Sequence, residues 1–81
     1  GHLGLRQLGG VLQALSEVSS ALLFTNTRAQ AELWHQALSA VWPHAPETLA
    51  LHHGSLDREL RESVEAAMRA GRLRCLVATS T

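Results

Sequence analysis

Short apolar runs at residues 21–24, 49–51 and 75–78 alternate with longer stretches in which apolar residues recur every three or four positions. The runs are too short for helices and predict buried strands near 21–25, 48–52 and 74–79. Leu8, Val11, Leu12, Leu15 and Val18 fall at helical spacing, so a short amphipathic helix is expected from Leu8 onward. Residues 1–10, with four glycines, read as an irregular lead-in to it, so residues 1–19 form a lead-in loop and helix. Ala31, Trp34, Leu38 and Val41 make one stripe of a second helix. Thr27 and Gln30 give that helix a T-x-x-Q capping box, and it stops before Pro43. Pro43 and Pro46 make residues 43–47 a loop. Leu56, Leu60, Val64 and Met68, at steps of four, mark a third helix over 56–70, with Gly71 suited to its C-terminal cap.

Strands joined by helices of this length must run parallel with right-handed crossovers, giving a layered α/β sheet. In such sheets ligands bind beyond the carboxyl ends of the strands, where helix N-termini present free N–H groups and partial positive charge suited to phosphate. The strand ends here read TNTR, HHGS and TST. All fall on one edge, and all are rich in hydroxyl, amide or glycine donors.

Composition narrows the class. An 81-residue chain is at most one small domain, and it buries only about 60–65% of its unfolded surface. With 46% hydrophobic and 17% charged residues it is globular in character. No apolar run approaches the ~18–20 residues that span a bilayer and no signal segment opens the chain, so a cytoplasmic protein without membrane contact is expected. Seven arginines offset seven acidic residues, so no broad basic patch announces nucleic acid. Cys75 is the single cysteine, which excludes an internal disulfide and predicts a small buried thiol.

At the strand ends the residues resemble a known family. LLFTNTR is similar to motif IV of superfamily 2 helicases, and the stretch from LHHGS to CLVATST resembles the segment from motif IVa into motif V. His53-Gly54, an arginine eight residues after the histidine (Arg61), a glycine ten further (Gly71), and a strand ending Ala78-Thr79 meet the pattern without a gap. FTNTRAQAELW with ALHHGSLDRELRE resembles the large helicase-related (Lhr) group, including the ligase-associated DEXH-box helicases. The resemblance is strong over residues 20–81.

It implies a partial RecA-like (P-loop NTPase-like) fold, a fragment of the second motor lobe of an ATP-dependent DNA helicase containing motifs IV, IVa and the start of motif V. It further implies a nucleic-acid-binding set: Thr25, Asn26, Thr27 and Arg28 on motif IV, His53, Gly54 and Arg61 on motif IVa, Thr79 and Ser80 on motif V. The implied partners are DNA and the first RecA-like lobe of the same chain, and the implied cofactors of the parent enzyme are ATP and Mg2+. No G-x-x-x-x-G-K-[S/T] loop occurs and the chain has no lysine, so the fragment is expected to bind no nucleotide and to supply no catalytic residue.

Plainer readings stand beside these. Arg28 is either a phosphate contact or a surface residue at a helix start, although a cation there is mildly unfavourable without an anion nearby. Arg61 belongs to an Arg61–Glu65–Arg69 ladder that a solvated salt-bridge face explains fully. His52 and His53 point to opposite faces of a strand and do not share a metal ion easily, and no metal site is expected. Trp34 falls on the core stripe, while Trp42 is open to either role. The alternative function is a non-catalytic α/β module binding a phosphate-bearing ligand at its strand ends.

Overall fold

A computed structural model describes residues 4–80. The elements are α1 (Leu5–Ser16), β1 (Ala21–Thr25), α2 (Arg28–Val41), a short 3-10 turn (Pro46–Thr48), β2 (Leu49–His52), α3 (Arg58–Arg69) and β3 (Cys75–Thr79). The three strands are all parallel, in the order β1-β3-β2. The last strand in the chain is therefore the central one.

Two cores explain the layers. Ala31 and Leu38 of α2 pack with Leu49, Cys75 and Val77, and the partly buried Leu8, Val11, Leu12 and Leu15 of α1 join them. On the other face Val64 packs with Leu73 and Leu76, joined by Leu22, Ala50, Leu56, Leu60 and Met68. Thus α1 and α2 cover one face and α3 the other. The β1-to-β2 connection crosses β3 on the first face, and the return from β2 to β3 runs on the second. Opposite directions on opposite faces give both crossovers the same hand, as parallel units require. All five residues of β3 are buried, because it is covered on both faces and paired along both edges.

Several boundaries differ from the periodicity. Helix α1 starts at Leu5, not Leu8, and runs through Gly9 and Gly10. The Gln7 side chain accepts from the Gly4 N–H at 3.1 Å, and apolar packing on α2 outweighs the glycine pair's poor helix propensity. Val18 lies beyond its end, and Val41 of the α2 stripe is also exposed. Helix α3 starts at Arg58, not Leu56, because Asp57 caps it by accepting the Leu60 N–H at 2.8 Å. It ends in a Schellman arrangement: the Arg72 N–H donates to Ala67 O at 2.9 Å and the Gly71 N–H to Met68 O at 3.1 Å, with Gly71 at φ 78°. The expected Arg61–Glu65–Arg69 ladder does not close. The exposed pair on α3 is Arg58–Glu62, Nε to Oε1 at 3.3 Å, one turn nearer the helix start. Residues 1–3 of the expected lead-in lie outside the described residues.

Cys75 is fully buried in β3, and desolvation pushes its thiol from 9.0 up to about 11. The folded state holds the protonated form. Stability is therefore present in full below pH 9.0 and is lost as pH rises through about 11. The loss is on the order of 2–3 kcal/mol. Native protein is expected to leave Cys75 unlabelled by a thiol reagent at pH ~8, with full labelling in denaturant. Equal labelling rates in the two conditions would contradict a sealed thiol.

Candidate nucleic-acid interface

The parallel register sets Thr25 beside Thr79 and His52 beside Ala78, so the TNTR and HHGS segments and Thr79-Ser80 leave the sheet on one edge. The turn from β1 into α2 is held by its own polar groups. The Thr27 Oγ1 accepts the Gln30 N–H at 3.1 Å, as the capping box requires. The Gln30 side chain reaches back to the Asn26 N–H at 3.3 Å, one residue before the cap. Because Thr27 Oγ1 only accepts there, its O–H is still available to donate. The N–H groups of Arg28 and Ala29 precede the first intrahelical bond, Ala31 N–H to Thr27 O, and open onto the helix end.

Thr25 is placed differently. It is buried, and its hydroxyl faces the carbonyls of Thr27 at 3.1 Å and Ala78 at 3.3 Å, tying the end of β1 to β3 and to the turn. The Ser80 N–H donates to Thr25 O at 2.9 Å and carries the β1–β3 pairing one residue past the strand. Gly54 takes φ 99°, a left-handed conformation that strains any side-chain-bearing residue. That turn aims its N–H at Thr79 Oγ1, 3.1 Å away.

Arg28, His53, Gly54 and Thr79 together line an open cleft of about 360 Å³ at this edge. Asn26 and Thr27 are exposed in the turn leading into α2, and Ser80 is exposed where β3 ends. Arg61 is exposed on α3, which covers the other face of the sheet, and it does not line the cleft. One charged neighbour was not singled out by sequence: Glu32 Oε1 stands 3.4 Å from His53 Nε2. Its i+4 spacing from Arg28 was the available signal. His53 turns toward α2, away from the face that His52 shares with Ala50, and among the described residues no three His, Cys, Asp or Glu side chains converge.

Trp34 packs partly buried against the first core. Trp42 sits at the far end of α2, donating its indole N–H to Thr48 Oγ1 at 3.0 Å, at the amino edge of the sheet. It is a structural anchor away from the strand-end cleft. A larger recess of about 540 Å³, lined by Ser19, Ser20, Met68 and Arg74 among others, also lies at that opposite edge.

A three-layered α/β/α arrangement with parallel strands and a cleft at their carboxyl ends is that of a RecA-like lobe. Residues 5–81 match the helicase conserved C-terminal domain, and the chain belongs to that family. It is part of a superfamily 2 helicase C-terminal lobe close to Lhr. Over 69 residues it is 35% identical to the ATP-dependent helicase Lhr-Core protein 2 of Thermococcus barophilus, a match covering 85% of this chain and 8% of that protein. Its fold matches a structure of the Mycobacterium smegmatis helicase Lhr bound to ssDNA and AMP-PNP, with TM-score 0.63 and 30% identity over 90% of this chain. The chain spans 8% and 10% of the lengths of these two relatives.

Proposed function

We propose that this segment forms part of the track by which the second motor lobe of an ATP-dependent DNA helicase grips the phosphate backbone of one DNA strand. The observation that carries it is the shared cleft. An arginine, a strand-end histidine, a glycine turn and a threonine from three separate segments meet there beside the α2 N-terminus. Arg28 supplies the charge, Thr27 a hydroxyl proton, and the helix end its N–H groups. Asn26 and Ser80 flank the cleft as further donors, and Thr25 shapes it from beneath. Arg61 meets the backbone farther along the track, from the α3 side. In this reading residues 26–28 belong to motif IV, His53 to Arg61 to motif IVa, and Thr79-Ser80 to motif V.

The ssDNA in the Lhr structure supports DNA as the partner. ATP and Mg2+ serve the parent enzyme, which works in the cytoplasm. The 81 residues contain neither a phosphate loop nor a lysine, so they do not fit the nucleotide's β- and γ-phosphates. Those are held by residues of the first RecA-like lobe, and the segment alone is inactive as an ATPase.

None of the cleft's groups reads a base edge, so binding should be blind to sequence and sensitive to salt. The full-length protein carrying this segment is expected to bind oligo(dT) and mixed-sequence strands within about threefold of each other. Log affinity should fall linearly with log salt, by about 0.7 per phosphate held. A flat salt response, with tight binding of inorganic phosphate that Arg28→Ala abolishes, would point to a small-anion module and overturn the proposal.

A further inference from the structure

Arg28 and Glu32 stand four residues apart on α2, the spacing at which opposite charges pair across one helical turn. On α3 Arg58 and Glu62 have the same spacing and the same order, and they do pair at 3.3 Å. On α2 the equivalent pair is not made. Glu32 Oε1 turns instead to His53 Nε2, 3.4 Å away at the end of β2, while Arg28 lines the cleft beside that histidine. Order along the helix does not explain the difference, since Arg58–Glu62 has it too. Glu32 has a histidine within reach, and Glu62 pairs with the arginine of its own helix.

We propose that His53 is a positioning residue that holds Glu32 off Arg28, leaving the Arg28 guanidinium open to a backbone phosphate. This rests on the reading of the cleft as a phosphate site and assigns His53 an indirect part in it. A carboxylate and a phosphate compete for one guanidinium, and a carboxylate tethered one turn away competes at high effective concentration. Nε2 is the ring nitrogen that faces Glu32, 3.4 Å from its Oε1. His53 then serves the phosphate through Glu32. Gly54, which follows it, completes the turn by which the chain leaves β2 toward Thr79.

A double-mutant cycle on the full-length protein tests this, reading binding of labelled oligo(dT) by fluorescence anisotropy at low salt. His53→Ala is expected to weaken binding by about 1.5- to 5-fold, the worth of an exposed ion pair now formed between Glu32 and Arg28. Glu32→Gln should bind as tightly as the unaltered protein or up to about twofold tighter, because a charge opposing phosphate is gone. The decisive variant is Glu32→Gln/His53→Ala, which should bind like Glu32→Gln alone. Such rescue is unavailable to a variant that merely misfolds. Should His53→Ala cost as much in the Glu32→Gln background as in the unaltered protein, His53 touches the phosphate itself and the positioning role is wrong. No loss in His53→Ala would refute it equally. Arg28→Ala separates the two levels: unchanged binding there removes the phosphate reading altogether. A loss there beside a failed rescue removes only the role of His53.

Discussion

Leu38→Ala is expected to destabilise the fold by about 2–5 kcal/mol. Leu38 is completely buried, in the last third of α2, packed with Leu49, Cys75 and Val77. Removing its branched end takes away dispersion contacts and leaves a cavity that the sheet beneath cannot fill, because β3 is held by pairing on both sides. At roughly 0.05–0.15 kcal/mol per residue, a domain of this size has only about 4–12 kcal/mol in total. The substitution thus removes much of it. Urea unfolding followed by Trp34 and Trp42 fluorescence should show a large fall in midpoint. Leu5→Ala, at a position 88% exposed, should stay within about 0.5 kcal/mol of the unaltered protein. If the two variants unfolded alike, the α2–sheet contact would not be the seat of stability.

Arg28→Ala is the corresponding test of function, with an expected loss of about tenfold in ssDNA affinity. The side chain leaves the first position of α2, where the helix dipole makes a cation unfavourable unless an anion is near. A backbone phosphate would remove that conflict and take the arginine's charge-assisted bonds as well. The loss should be uniform across sequences, and the salt slope should shrink by about 0.7, the share of one phosphate on a single strand. DNA-stimulated ATPase should fall while ATP binding without DNA persists, since Arg28 is proposed to meet DNA and the segment's sequence carries no phosphate loop. Full affinity with an unchanged slope would leave Arg28 an ordinary residue at a helix start.

Much of this was legible in local pattern. The Thr27 cap, the Gly71 cap and the Leu56–Met68 stripe are short-range signals, each complete within a few turns, and each appears in the fold. Strand direction was also legible, because connections containing a helix leave a parallel sheet as the simple solution. The start of α1 was not. Its glycine pair argues against helix locally, and only the apolar surface offered by α2 reverses that.

The sequence by itself determined the elements, their parallel sense and the edge on which the polar strand ends gather. Strand order, with β3 between β1 and β2, was decided by packing: β2 leaves one place beside β1, and α3 returns on the face opposite α2, which brings β3 into that place. The site's charge arrangement was decided there too. Arg28 and Glu32 share a helix at the spacing where opposite charges pair. His53 is remote in sequence and reaches Glu32 only because β2 ends beside α2. Helix periodicity acts over a few residues, whereas a contact between two elements exists only after both have packed on the same sheet.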